Sequence, residues 1–307
     1  MHPLQVVAVV VVVLLLGAGW YLYSPDKARA GLEAKYAPPP SQFLEVLGVR
    51  LHVRDTGPRE APALLMLHGL GSSLHTWENW ARALEGRYRV VRLDLPSFGL
   101  TGADPSGDYS EARTQAVLAG LMDRLGIKTV TIVGNSMGGG IAWRFAVARP
   151  ELVDRVVLIS PEGFKPPGEA PPGKQKIPLM LQAMRYVLPT PFLRMNIAPS
   201  YADESKLTSE VVARYRDMLL APGNRDAILA RMLQMRRPDP EPLLRRLDKP
   251  VLLIWGEQDR LIPFSNSADY MRLLPDARLA AMPGMGHVPQ EEAPAASLAV
   301  LRRFLEG

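Results

Sequence analysis

The sequence predicts an α/β architecture: a mostly parallel central sheet with flanking helices, an inserted helical cap and an N-terminal transmembrane helix. Three observations lead there. Apolar runs of buried-strand type at 63–67, 129–133, 156–160, 251–255 and 277–282 alternate with amphipathic stretches such as 111–125, the pattern of a sheet covered on both faces. Residues 161–249 separate two of these strands, far more chain than an ordinary connection needs. Residues 4–23 carry no charge at all. With 307 residues the chain is long enough for one large core besides these additions, and no internal repeat is found in it.

The uncharged segment comes first. A valine and leucine run at 9–16 dominates it, and a twenty-residue helix at ~1.5 Å per residue covers about 30 Å, the hydrocarbon thickness of a bilayer. Trp20, Tyr21 and Tyr23 gather at one end, where aromatic rings favour the membrane interface. A cleaved signal peptide would begin with basic residues, and Met1-His2-Pro3 has no Lys or Arg. The expectation is an uncleaved anchor over 1–23, single-pass in the inner (cell) membrane, with the bilayer as a partner. Lys27, Arg29 and Lys35 follow the span, which argues for a cytoplasmic position of that end. Gly17 and Gly19 allow close helix approach; the anchor thus offers a route to a homodimer, although no G-x-x-x-G is present. Residues 24–42 read as a juxtamembrane helix and, at Pro38-Pro39-Pro40, a stiff spacer.

The sheet-forming core is expected over 43–160 and 250–307. Its strand at 63–67 ends in His68-Gly69-Leu70-Gly71-Ser72-Ser73. The strand at 129–133 runs into Gly134-Asn135-Ser136-Met137-Gly138, a G-x-S-x-G pattern that holds a serine on a sharp strand-to-helix turn. Helical apolar spacing follows through Ile141, Ala142, Phe145 and Ala146. Such a turn strains Ser136, so the residues two positions away on either side must be small.

A nucleophilic serine needs a base, an acid to orient the base, and donors for the oxyanion. Downstream, the strand at 251–255 leads to Gly256-Glu257-Gln258-Asp259, and that at 277–282 leads to Pro283-Gly284-Met285-Gly286-His287. Serine, acid, histidine is the order such a site requires. Glu162, just after the strand at 156–160, is a second candidate acid; the loop after the penultimate strand favours Asp259, whose bland alternative is a cap on a helix near Ser265. His68 and His75 read as structural, and Asp94 as a brace for its own loop.

The interruption at 161–249 reads as a helical cap over the site. Its beginning, 164–176, is rich in Pro, Gly and Lys, and Met180, Met184, Met195, Met218, Met232 and Met235 supply adaptable apolar surface. It holds fifteen Lys or Arg against ten Asp or Glu, so all of the chain's net charge of +5 lies there. Aromatic interleaving and a binding motif are absent, so no nucleic acid is expected as partner. Anionic lipid headgroups and a merely solvated basic face remain as readings. With no Cys, no H-E-x-x-H and no Walker loop, neither cofactor nor metal is expected.

The motifs HGLGSS at 68–73, DLPSFGLTG at 94–102, GNSMGG at 134–139, WGEQDRLIP at 255–263 and GMGH at 284–287 resemble those of the α/β-hydrolase superfamily, from about residue 43 to the end. The chain looks most like membrane-anchored monoacylglycerol lipases and the bacterial single-pass phospholipase A1 (lysophospholipase) group. The resemblance implies Ser136 as nucleophile, His287 as general base and then acid, and Asp259 orienting the imidazole. The backbone N–H groups of Leu70 and Met137 would form the oxyanion hole. It implies a serine esterase acting on acyl-ester bonds of glycerolipids, with its catalytic domain in the periplasm. One departure is Ser97, where many relatives have glycine.

Two other functions compete. Carbon–carbon bond hydrolases of the meta-cleavage type share the elbow and the triad order, but are expected to be soluble and to carry Trp where Val288 follows His287 here. A non-enzymatic scaffold on the same fold is disfavoured by the complete triad.

Overall fold

The computed structural model describes residues 22–164, 177–236 and 238–307, together with Leu4, Gln5, Val7 and Gly19. An eight-stranded sheet forms its centre, with strands β1 (Ser41–Val46), β2 (Val49–Thr56), β3 (Ala63–Leu67), β4 (Arg89–Leu93), β5 (Val130–Asn135), β6 (Val153–Ile159), β7 (Val251–Gly256) and β8 (Arg278–Met282). Their spatial order is β1-β2-β4-β3-β5-β6-β7-β8. β2 pairs antiparallel with β1 and β4, and every other neighbouring pair is parallel. All six residues of β7 and the last four of both β3 and β6 are buried. Strands covered on both sides read as continuous apolar runs rather than alternating ones.

Two apolar clusters fill the two faces. Leu65, Ile132, Leu158 and Leu253 pack on one side with the helices Glu111–Arg124 and Met137–Ala148. Leu64, Val133, Val157 and Ile254 pack on the other with Trp77, Trp80 and the helix Pro294–Glu306. Ser110 caps the helix Glu111–Arg124 by accepting from the Arg113 amide, one of the orphan donors of a helix start. Successive residues of one strand thus serve opposite faces.

Between β6 and β7 the described chain is helical: Leu179–Ala183, Thr190–Ile197, Ser209–Leu219, Asn224–Gln234 and Glu241–Leu244. The expected proline- and lysine-rich start of this insertion lies, from 165 to 176, outside the described residues.

The N-terminal expectation is corrected. Among the described residues no helix is long and apolar enough to cross a membrane, so the single-pass anchor over 1–23 is not borne out. The inner-membrane localisation and the periplasmic placement rested on that helix and are withdrawn with it. Most of 4–23 lies outside the described residues, and the described end of the segment has a protein partner. Tyr23 bridges to Val187, and the Ser24 amide donates to the Tyr186 carbonyl at 2.8 Å. The helix Arg29–Tyr36 then lies against the cap. Asp217 of the cap accepts from Lys27 at 2.5 Å, Lys35 at 2.9 Å and Tyr36 at 2.8 Å, and Arg225 donates to Asp26 at 2.6 Å. Hydropathy alone predicts a solvent for a segment; it does not reveal that the chain leaving it is held by side chains nearly 200 residues away.

Candidate active site

The loops after β3, β5, β7 and β8 carry Leu70, Ser136, Asp259 and His287. All four follow carboxyl ends of parallel strands, where open α/β sheets place their sites.

Ser136 sits between β5 and the helix Met137–Ala148 with φ 56° and ψ −121°, a conformation that costs a non-glycine residue of order 1–3 kcal/mol. The surroundings over-determine it. Its amide donates to the Ile159 carbonyl at 2.9 Å, and its carbonyl accepts from the Gly140 and Glu162 amides at 3.0 and 2.9 Å. A side chain at Gly134 would collide with the Gly138 carbonyl, and one at Gly138 with the carbonyls of Leu67 and His68. That is the steric content of the G-x-S-x-G pattern. Met137 begins the helix, so its amide is one of the unsatisfied donors of a helix start and is free to serve an anion.

His287 and Asp259 meet: Nδ1 lies 2.7 Å from Oδ2, with both residues buried. The other carboxylate oxygen accepts from the Leu261 and Ile262 amides at 2.8 and 2.9 Å. Burial by itself would raise the Asp259 pKa, but the hydrogen bond and charge of His287, with those two amides, hold it below the usual carboxylate range. An ionised Asp259 makes Nδ1 the donor, which leaves Nε2 with its lone pair, the form a general base requires. The bland role for Asp259 fails, because the helical turn at Phe264–Asn266 has no side-chain cap. Glu162, the rival acid, is not the carboxylate on the imidazole: its carbonyl accepts from Trp143 and Tyr270 and it lines the cavity beside Met137.

The recorded side-chain partner of the imidazole is Asp259; among the described residues no hydrogen bond joins Ser136 Oγ to His287, and the loops that carry the two are linked through other groups. Asn135 Nδ2 donates to the His287 carbonyl at 3.0 Å and to the Ile159 carbonyl at 3.2 Å. The His287 amide donates to the Ser200 carbonyl of the cap at 2.8 Å, and Glu292 accepts from Gly286 at 2.7 Å. Apo sites commonly tighten their catalytic hydrogen bonds only when substrate arrives.

The loop after β3, the expected oxyanion loop, is set by His68. Its Nε2 accepts from the Leu95 amide at 3.0 Å, so Nδ1 carries the proton and donates to the Gly69 carbonyl at 2.8 Å. Burial pushes the His68 pKa down, which keeps that tautomer at neutral pH. In a trans peptide the carbonyl and the next amide point oppositely; fixing Gly69 O therefore fixes the direction of the Leu70 N–H. Gly69 stands so close to the elbow that a Cβ there would lie 3.2 Å from the Ser136 Cβ.

Asp94 braces the neighbouring loop as expected. It is fully buried and accepts from His52 Nδ1, the Leu74 amide and the Leu100 amide, each at 2.7 Å. Its pKa is driven well below the carboxylate range: burial opposes ionisation, and the electrostatic attraction and hydrogen bond of His52, with lesser help from His75 and His68 once they protonate in acid, overcome it. Ser97 adopts φ 80°, a left-handed conformation in which the glycine of its relatives would be unstrained. His75, its pKa lowered to about 4 by burial, bridges Ser73 Oγ at 3.1 Å and the Tyr36 carbonyl at 3.0 Å, joining the oxyanion loop to the N-terminal arm.

Of the cap methionines, Met235 lines a cavity, Met218 is buried among other residues, and Met180 and Met195 are exposed. Sequence reasoning missed Asn135, Ser200 and Glu292. Only Asn135 carried a signal, a polar residue ending an otherwise apolar strand. Among the described residues no cluster of His, Asp and Glu is placed to hold a metal ion.

Comparison with known proteins agrees with this geometry. Residues 62–294 match the family described as alpha/beta hydrolase fold. A 2-hydroxy-6-oxononadienedioate/2-hydroxy-6-oxononatrienedioate hydrolase of Dechloromonas aromatica is 33% identical, covering 82% of this chain and 90% of its own. A 2-hydroxy-6-oxo-6-phenylhexa-2,4-dienoate hydrolase of Burkholderia cepacia is 30% identical, covering 79% and 86%. Among solved structures, a membrane phospholipase A described as a bacterial virulence factor superposes with a TM-score of 0.73 at 25% identity, covering 100% of this chain and 99% of its own. A hydrolase fold with its nucleophile turn and histidine–carboxylate pair in place, matched over most of its length, has one family: this chain belongs to the α/β hydrolases.

Proposed function

We propose that this hydrolase cleaves carboxylic esters through Ser136, His287 and Asp259. The observation that carries the reading is the 2.7 Å bond from Asp259 to His287 Nδ1, which leaves Nε2 basic on the loop tied to the residue before the serine. His287 takes the Ser136 proton as the hydroxyl attacks the ester carbonyl. The Leu70 and Met137 amides receive the oxyanion, a pair in which losing one donor costs about 10²–10³ in kcat. Collapse of the intermediate expels the alcohol, which takes the proton back from His287. Water then repeats the cycle on the acyl-enzyme and frees the acid.

Within that reaction we favour acyl-ester bonds of glycerolipids, such as a monoacylglycerol, lysophospholipid or phospholipid. The membrane phospholipase A matches the whole chain, whereas a meta-cleavage product hydrolase structure matches 86% of it. The carbon–carbon alternative has the sequence relatives in its favour. Val288 stands against it, where that group is expected to have Trp.

A direct test is turnover of a lipid ester panel beside a meta-cleavage dienoate, with a fluorophosphonate probe as a titrant of the serine. Ester hydrolysis and an adduct on Ser136 are expected. Turnover of the dienoate alone would replace this reading with the carbon–carbon one, and a folded protein with neither activity nor adduct would end both.

A further inference from the structure

A cavity of about 130 Å³ lies beside the nucleophile turn. Its wall includes Met137, whose amide is the proposed oxyanion donor, and Ile141 one turn along the same helix. The facing wall belongs to the cap helix Asn224–Gln234 and contributes Arg231.

Arg231 gives this space its character. The residue is only 6% exposed. Its one recorded hydrogen bond runs from Nη1 to the Pro96 carbonyl at a long 3.4 Å, and its guanidinium stands 5.8 Å from the Phe98 ring centre. Among the described residues no carboxylate forms an ion pair with it. Burial lowers its pKa to about 10, against partial compensation by Glu162 and Tyr109, so it stays charged at neutral pH. Arg144, on the same wall, has a buried Nε without a hydrogen-bond partner, although Glu111 approaches it to 3.7 Å.

Glu162 and Glu111 line the same cavity, and Glu162 offsets the Arg231 charge only through space. A guanidinium taken out of water without a directly paired carboxylate is costly, and an arriving anion relieves that cost. Its planar fork matches the paired oxygens of carboxylate or phosphate. An engineered cavity of about 150 Å³ takes one benzene, so a space of this size suits one compact group.

We propose that this cavity is a subsite for a single anionic group, carboxylate or phosphate, carried by the substrate and received by Arg231 beside Arg144. The proposal rests on the esterase reading and sharpens it: the preferred substrate is an ester with a fixed negative charge a short distance from the scissile carbonyl.

Three short-chain esters separate the outcomes in the full-length protein: a neutral p-nitrophenyl butyrate, a p-nitrophenyl hydrogen glutarate, and a butyryl glycerol 3-phosphate. Wild type is expected to favour one of the charged esters by roughly tenfold or more in kcat/KM, chiefly through KM. Arg231→Gln should cut that preference about tenfold, and Arg231→Lys should cut it less. The glutarate and phosphate arms tell carboxylate from phosphate. Free glutarate and glycerol 3-phosphate should also compete with p-nitrophenyl butyrate in wild type, a measurement that decides alone if R231Q does not fold. Equal kcat/KM for all three esters with no competition overturns the subsite, as does an intact preference in folded R231Q. Loss of all ester turnover together with loss of fluorophosphonate labelling overturns the esterase reading instead.

Discussion

Asn135 Nδ2 donates to the main-chain carbonyl of His287 across 3.0 Å, so the residue before Ser136 holds the loop that carries His287. The same amide group reaches the Ile159 carbonyl, where β6 ends. Asn135→Ala should leave two buried carbonyls without this donor and cost about 1–3 kcal/mol in stability. It should also loosen the serine–histidine alignment, with kcat falling roughly 10–100-fold and KM changing less. Steady-state kinetics on a soluble ester, paired with thermal melts, checks both numbers; a variant with normal kcat would deny Asn135 its positioning role.

Asp259→Asn keeps the shape of the hydrogen bond but removes the charge that selects the imidazole tautomer. Ester turnover should drop by about 10⁴. Ser136→Ala should abolish it, on the order of 10⁶, and should also abolish fluorophosphonate labelling. Glu162→Gln, which leaves the Asp259–His287 bond in place, should do neither.

Asp94 and Asp259 both titrate below the usual carboxylate range when folded. A carboxyl group depressed in the native state stabilises it fully above the unfolded pKa, about 4, and that contribution is lost as pH falls through the folded value. Melting temperature should therefore decline on acidification beneath about pH 4, and the decline should be shallower in Asp259→Asn. Parallel acid limbs for the two proteins would show that Asp259 is not one of the groups responsible.

Asp217 accepts from Lys27, Lys35 and Tyr36, which makes it the main polar attachment of the N-terminal arm to the cap. Both lysines are largely exposed, so the ion pairs are weak individually, and the loss should show locally rather than globally. Asp217→Asn is expected to speed proteolytic cleavage around residues 24–40 several-fold while the sheet core melts nearly as before.

Ser97 holds φ 80°. Ser97→Gly removes that strain at the expense of a more flexible unfolded chain, and a net gain of roughly 0.5–1 kcal/mol is expected. A melt raised by about 2 °C would register it.

The strands of the core and the tight turns at their ends were legible because both are local. A β-branched run flanked by glycine turns announces a buried strand, and the glycines of 134–138 announce a strained serine by the clashes that any side chain would cause there. Asp259 could be chosen over Glu162 from loop position alone, and the hydrogen bond to His287 agrees. Ser200 and Glu292 could not be read, because each acts through a contact whose partner is fixed only by the three-dimensional path of the cap. The N-terminal segment misled for a related reason. Its composition matches a bilayer interior, yet what is described of its end is governed by Val187, Tyr186 and Arg225.

The His287 amide bonded to the Ser200 carbonyl has a mechanical implication. Ser200 belongs to the roof and His287 to the floor, so the roof cannot swing away at this point without either breaking that link or dragging the imidazole with it. On the proposed mechanism, opening of the roof here and the position of the His287 imidazole are thereby geared together.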